Sequence, residues 1–436
     1  MKLSRMVPLT IAEKIIAGHA REGVVRAGGI ATVTPDILML NDVSGPLAFD
    51  QFAAMGATSP FAPETVVLVA DHFAPAKDVV TAQSIRDLRI FAKRHGIAHL
   101  YEPGRGGIEH TLLAELGLVG HGSIVFGADS HTCTAGAFNA LGIGFGSTDL
   151  AAALATGALW MRVPDSIRVE LEGRPSHYVT GKDVILEVIR RIGVDGATDA
   201  ALEFGGPGMA ALSIDERMAT ANMAVEAGAD TCAFEGDGLS AAQMRQRGMA
   251  ARPAILPDPG ATYRGRLTID LAGLSPLVAR PPSPGHAVAV ETLSGEHVDQ
   301  VYVGNCANGT ITDLRQVAEI LRGRSIAAHV RMIVVPATQQ IYRQAMAEGL
   351  LEIMAAAGAA ISTPTCGACF GGHMGILAAG ETAVATTNRN FRGRMGDPDS
   401  QVFLANAYAA AAAAVAGHIT TPESVVEQNT LPELVS

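Results

Sequence analysis

A chain of 436 residues, 48% of them hydrophobic and with a mean hydropathy of +0.25, is long enough for several buried cores; at roughly 150 residues per domain it predicts about three. A formal charge of −11, from 32 Lys and Arg against 43 Asp and Glu, argues against a general nucleic-acid surface while leaving room for a local basic pocket for an anionic substrate. No apolar run is long enough to span a bilayer, Glu13 and Lys14 interrupt the stretch a secretory leader would need, and five cysteines are too few for a disulfide scaffold, so the expectation is a cytoplasmic protein with reduced thiols and no membrane or nucleic-acid partner.

In chain order, residues 11–20 form an amphipathic helix, and residues 65–70 (TVVLVA) and 123–127 (SIVFG) read as buried strands. Both strands run into polar residues, Asp71 and His72 after the first, Asp129, Ser130 and His131 after the second. In open α/β sheets ligands bind at that carboxyl end. Alternation of helices and strands implies an α/β fold with mainly parallel sheets. The alanine-rich stretches 150–161 and 407–416 read as buried helices. The GIGFG at 142–146 lies in an apolar helical context and not after a strand, which argues against a dinucleotide site. Residues 162–167 (RVPDSI) and the proline-rich 279–285 (ARPPSPG) read as connectors, giving domains 1–164, 165–284 and 285–436. In the last of these, 301–304 and 330–335 are strand candidates and 311–322 a helix.

Cys133 and Cys232 are isolated and read as small buried apolar groups. Cys366 and Cys369 sit in TPTCGACFGG, whose glycines permit the tight turn that points two sulfurs at one centre. A CxxC by itself is a zinc half-site, a redox pair or an accident. Cys306, in VGNCANG, falls between a strand and a helix, among free amides that favour a thiolate. Three thiolates need a fourth ligand, such as His373 or His131, to complete a zinc site; alternatively they hold three irons of a cubane whose fourth iron stays open. Spacing does not choose between them.

VGNCANG, TPTCGACFGG and TTNRNFRGRMG resemble, in order and interval, the GSCTN turn, second cluster motif and arginine motif of the aconitase and isopropylmalate dehydratase family. NDVSGPLAF, VADHFAP, GIEH, GADSHTCTAGAF and LEFGGPG resemble segments of its bacterial and archaeal large subunits, so the likeness runs along nearly the whole chain. It implies three aconitase-like α/β domains around a central 4Fe-4S cluster held by Cys306, Cys366 and Cys369, with one open iron. It makes His72, oriented by Asp71, the general acid, and pairs His110 with Asp129 and His131 with Glu203 around the same cavity. Asn388, Arg389 and Arg394 would hold substrate carboxylates, with Asn41, Ser44 and Ser130 as further substrate contacts. A small subunit would supply the swivel domain, its serine base and a further arginine. The activity implied is the dehydration and rehydration that interconverts 2- and 3-isopropylmalate through 2-isopropylmaleate in leucine biosynthesis. Relatives acting on methylmalate, dimethylmalate, maleate or homoaconitate share the pattern, and a non-catalytic metal- or RNA-binding regulator is the alternative of another class.

The chain departs from the family pattern in three places. Asn305 and Ala307 flank Cys306 where the family has serine and threonine, removing hydroxyls that tune a cluster thiolate. Ala368 stands for a proline between the paired cysteines, which would loosen the turn and leave ligation intact. Arg392 stands where glutamate is usual, making the arginine turn more basic.

Overall fold

The computed structural model describes residues 7–428; residues 1–6 and 429–436, including the positive charges at the extreme N-terminus, lie outside the described residues. Three α/β sheets and one small ribbon organise the chain. The first sheet is wholly parallel, in the order His99–Tyr101, Val66–Val69, Ile37–Asn41, Ile124–Gly127, Leu141–Gly144. Its central strands are buried on both faces, which requires the apolar runs seen in the sequence. An antiparallel ribbon of Ala20–Gly23, Ile30–Val33 and Leu159–Arg162 shares its core.

The second sheet is also parallel, in the order Thr231–Phe234, Ala200–Gly205, Asp165–Glu172, Gly265–Asp270. The third has seven strands and runs Ala287–Ala289, Leu277–Ala279, Gln401–Ala405, Thr382–Ala385, Gln300–Val303, Arg331–Val334, Ala360–Ile361. Its first two strands form a hairpin joined antiparallel to Gln401–Ala405, and the others are parallel. One apolar core draws residues from all three sheets, Val69, Leu202 and Leu404 among them. Among the described residues no helix is long and apolar enough to cross a membrane.

The second sheet opens at Asp165, next to the expected boundary at 164/165. The boundary at 284/285 falls inside the Leu277–Ala279 and Ala287–Ala289 hairpin, so the prolines shape a strand connection and the third sheet begins by Leu277. The stretch 150–161 is not one helix: Ser147–Thr156 ends at Gly157, whose left-handed φ of +74° stops it, and Leu159–Arg162 is a strand. Residues 407–416 do form a helix, Ala407–Ala416, buried along the whole of 407–414. The GIGFG glycines also need correcting, because Gly142 and Gly144 lie in the strand Leu141–Gly144. A Cβ on Gly142 would collide with the Thr132 carbonyl, so the glycine lets the 3-10 segment Ser130–Phe138 lie against this strand.

Two sheets aim at one place. The residues after Val66–Val69 and Ile124–Gly127 of the first sheet, and after Gln300–Val303 and Thr382–Ala385 of the third, are the polar motifs of the sequence. Four parallel strands thus present their carboxyl ends to a common pocket.

Candidate active site

Three turns from the first sheet carry histidines and carboxylates to the pocket. Asp42 accepts the backbone N–H groups of Asp71 (3.1 Å), His72 (2.9 Å) and Phe73 (2.7 Å), fixing the turn after Val66–Val69. Within it, Asp71 Oδ1 lies 2.7 Å from His72 Nδ1, while Oδ2 accepts the backbone N–H of Glu109 (2.8 Å). His72 Nε2 faces Asp129 Oδ2 at 3.4 Å. Asp129 gathers the other two rings through Oδ1, which meets His110 Nε2 at 3.0 Å and His131 Nδ1 at 3.4 Å.

The third sheet brings the cysteines. Gly304, with φ of +124°, reverses the chain after Gln300–Val303 in a conformation that a side chain would strain, and Asn305 Oδ1 then accepts the N–H groups of Ala307 (3.0 Å) and Asn308 (2.7 Å). That turn holds Cys306 until the capped helix Ile311–Leu321 begins. Cys366 N–H donates to the Asp71 carbonyl (2.8 Å) and Ile108 N–H to the Ala337 carbonyl (2.8 Å), which join the two sheets at the pocket. Gly107 permits the second approach, since a Cβ there would sit 2.5 Å from the Ala337 oxygen.

The pocket is a small cavity of about 30 Å³, and the sulfur-bearing residues Cys306, Cys366 and Cys369 line it beside Asp71, His72, Glu109, His110, Asp129 and His131. Asn388 and Arg394 complete the wall. Asn388 Nδ2 donates to Cys306 Sγ (3.3 Å) and Asn305 Nδ2 to Cys369 Sγ (3.9 Å). A hydrogen bond from Cys366 lowers the Cys369 pKa to about 5 against the opposing effect of burial, with the charges of Arg394 and His131 helping. Burial pushes the Cys306 thiol up.

These donors fit a cluster better than one zinc ion. Among the described residues, the groups of His, Cys, Asp or Glu whose ligand atoms all lie within 4.8 Å of one another are Asp42, Asp71, His72 and His72, Glu109, Asp129; the three cysteines are not such a group. Thiolates on one tetrahedral zinc, at Zn–S of about 2.3 Å, would sit about 3.8 Å apart. His373, the expected fourth zinc ligand, instead has its Nε2 3.4 Å from Thr365 Oγ1, and His131 has carboxylates at both ring nitrogens.

Burial and charge divide the acids and bases. Burial opposes charge on His72, but the Asp71 charge and the bonds to Asp129 and Asp71 outweigh it and hold its pKa well above the usual value. Asp129 goes the other way, its desolvation overcome by hydrogen bonds from His110, His131 and His72. Burial, together with the charges of Asp71 and Asp129, raises Glu109 well above the carboxylate range.

The structure departs from the sequence-based pairing at Glu203. That carboxylate accepts the N–H groups of Ile11 (3.2 Å) and Ala12 (2.9 Å) at the start of helix Ile11–His19 and also binds Ser166 and Tyr263, so it caps a helix away from the pocket. The partner of His131 Nε2 is Glu226 (3.0 Å), which also accepts from Arg389 Nε (2.7 Å). Arg389 Nη2 reaches Ser130 Oγ at 3.0 Å on the rim. Asn41 and Ser44 do not line the pocket: Asn41 Oδ1 takes the Ser44 hydroxyl (2.9 Å) and the N–H groups of Val43 and Ser44, and its Nδ2 donates to Glu109 (2.9 Å). Arg392 points outward to Asp399 (2.7 Å) with 73% of its side chain exposed, so the added charge is paired outside the pocket.

Sequence reasoning missed Asp42, Glu109, Asn222, Glu226 and Lys182. Asn222 accepts from Asn388 Nδ2 at 3.1 Å. Lys182 is fully buried behind the arginine motif and donates to the carbonyls of Thr386 (2.8 Å) and Thr387 (2.5 Å), with burial lowering its pKa to about 8. Asp42 and Glu109 lay inside motifs already quoted, NDVSG and GIEH. The other three sit in segments with no motif of their own.

The aconitase family (aconitate hydratase) matches residues 13–417. The 3-isopropylmalate dehydratase large subunit 2 of Rubrobacter xylanophilus is 53% identical over 422 residues, which cover 97% of this chain and 99% of that protein. The 3-isopropylmalate dehydratase large subunit of Moorella thermoacetica is 49% identical over 419 residues, 96% of this chain and all of that protein (100%). The crystal structure of Thermococcus kodakaraensis aconitase X (holo-form) aligns with a TM-score of 0.49 at 12% identity, covering 86% of this chain and 88% of that one, a likeness too distant to bear on the site. Matched from the first helix to the end of the last alanine-rich one, the chain belongs to the aconitase family.

Proposed function

We propose that this chain is the large subunit of a 3-isopropylmalate dehydratase, a cytoplasmic hydro-lyase that interconverts 2- and 3-isopropylmalate through 2-isopropylmaleate. The observation that carries the reading is the single pocket in which three cysteines face the Asp71–His72 pair. The names of the relatives supply the substrate.

Cys306, Cys366 and Cys369 would hold a 4Fe-4S cluster, with Asn388 and Asn305 donating to two of the sulfurs. When bound, the cluster supplies a Lewis acid that weakens a carbon–oxygen bond. His72 supplies the proton for the departing hydroxyl. Asp71 fixes its Nδ1, Nε2 faces the cavity and Asp129, and the two carboxylates raise its pKa against burial, favouring the protonated ring. Arg394, whose Nε is buried and has no hydrogen-bond partner among the described residues, would take one substrate carboxylate, and Arg389 on the rim the other. The base that removes the carbon-bound proton would come from a separate small subunit, so both chains are needed for turnover.

The test is an anaerobic assay of the cluster-reconstituted chain, with and without a cognate small subunit, against a panel of unsaturated diacids. Turnover of isopropylmaleate that needs both proteins is the expected result. Selective turnover of citraconate, maleate, dimethylmaleate or cis-homoaconitate would keep the mechanism and change the substrate. An intact cluster that is silent on every diacid would overturn the reading.

A further inference from the structure

Glu109 is the acid in this pocket that the mechanism above leaves without a task. Its side chain is 1% exposed, it lines the cavity, and its two oxygens differ. Oε1 accepts from Asn41 Nδ2 at 2.9 Å, whereas Oε2 is buried with no hydrogen-bond partner among the described residues. An unpaired buried carboxyl oxygen is costly, and one kept at the wall of a cavity is where a bound molecule would meet it.

The surroundings fix which form of the acid is presented. The groups facing it are Asp71, whose Oδ2 holds the Glu109 backbone N–H, Asp129 and His72, each with one atom within 4.8 Å of one another and of Glu109 in the His72 group, and His110, whose Nε2 is 3.8 Å from Oε1. His72 and His110 already have carboxylate partners at 2.7 Å and 3.0 Å, so neither is committed to Glu109. A carboxyl set beside two carboxylates, with an amide as its closest donor, is favoured as the neutral acid. Its raised pKa agrees.

We infer that Glu109 is a substrate-contacting specificity residue: its neutral carboxyl, anchored through Oε1 by Asn41, donates a hydrogen bond from Oε2 to an oxygen of the bound dicarboxylate. No bond is made or broken in this contact. Asn41 thereby acts on the substrate at one remove, through Glu109, and not by direct contact. The inference rests on the dehydratase reading.

The experiment compares Glu109→Gln and Glu109→Met in the cluster-loaded chain with its small subunit, alongside melting of the cluster-free proteins. Glutamine keeps an acceptor for Asn41 and places an N–H donor at the Oε2 position, so kcat and KM should stay within about threefold of wild type. Methionine fills the space without a donor, and KM should rise about 10- to 100-fold with kcat little changed, the worth of one hydrogen bond to a charged group held equally in substrate and transition state. Glu109→Ala takes the place of the methionine variant should that one fail to fold. A glutamine variant as impaired as methionine would overturn the inference, since the negative charge and not the donor would then matter; so would a methionine variant with the wild-type KM. Wild type silent on every diacid would instead remove the dehydratase reading, and this inference with it.

Discussion

Replacing Glu226 and Glu203 separately by glutamine tests which carboxylate serves His131. Glu226 Oε1 accepts from His131 Nε2 and from Arg389 Nε, with only 1% of its side chain exposed. Glutamine keeps the shape and one acceptor but replaces the carboxylate in both hydrogen bonds by a neutral amide oxygen. At about 1 kcal/mol lost per bond the change costs about 2 kcal/mol, more if Arg389 is left as an uncompensated charge. If Arg389 holds a substrate carboxylate, that loss appears as a fall of about 30-fold in kcat/KM. Glu203→Gln meets different partners, because all of them are donors: two backbone N–H groups and two hydroxyls. An amide NH₂ set against them costs about 1–3 kcal/mol of folding stability, and it sits away from the pocket, so kcat/KM should not change. The assay is steady-state hydration of 2-isopropylmaleate by the reconstituted pair, with thermal melting of each cluster-free variant. Loss of activity in Glu203→Gln at unchanged melting, with Glu226→Gln near wild type, would refute the structural pairing.

Cys366→Ala should abolish the cluster, seen as loss of acid-labile sulfide and of the iron–sulfur absorbance after anaerobic reconstitution; a full complement of both would refute the ligand assignment. Lys182→Met removes the ammonium from the Thr386 and Thr387 carbonyls and leaves two buried acceptors unpaired, so the cluster-free chain should lose about 2–4 kcal/mol in chemical unfolding. An unchanged unfolding midpoint would refute that role. Away from the site, His19 Nε2 meets Asp36 Oδ2 at 3.0 Å. Burial opposes charge on His19, but the bonds to Asp36 and the Ile15 carbonyl raise its pKa above 6.5. On Asp36, bonds from His19 and the Ile124 N–H overcome desolvation and lower its pKa below 3.8. The His19 contribution is therefore complete below pH 6.5 and lost as pH rises through the folded value; that of Asp36 is present above 3.8 and lost as pH falls through its folded value. With both side chains partly exposed, the stability gap between wild type and His19→Gln should shrink by about half a kcal/mol from pH 5.5 to pH 8.5, measured by melting. An equal gap at both pH values would refute it.

The strands most legible in the sequence were those whose burial on both faces demands an unbroken apolar run, such as Val66–Val69 and Ile124–Gly127. Periodicity located them, and their carboxyl ends located the site. It failed where burial came from packing of backbone on backbone. The GIGFG glycines read as helical because apolar residues surround them, yet their task is to let a 3-10 segment lie against a strand, and only the fold reveals that neighbour. The prolines of 279–285 read as a linker because proline cannot occupy a central strand; they turn a hairpin at the edge of a sheet, where that restriction does not apply.

Within the pocket, legibility followed distance along the chain. The Asp71–His72 contact spans one residue and the CxxC three, so their geometry is implicit in the local sequence. Glu226 lies 95 residues from His131 and 163 from Arg389, and nothing around it marks it apart from other helical glutamates. The family resemblance of LEFGGPG is what pairs Glu203 with His131, and Glu203 does lie in a central strand. What separates it is direction: within Ala200–Gly205 it is still inside the strand, and its side chain turns to the start of helix Ile11–His19, whose free N–H groups attract a carboxylate as strongly as a histidine would. Asp71, His72, Asp129 and Cys306 instead come from the first turn beyond a strand, where the backbone is free to point them inward. Among Asp71, Asp129 and Glu203, position relative to the strand end, more than residue type, therefore distinguishes the capping carboxylate from those that face the pocket.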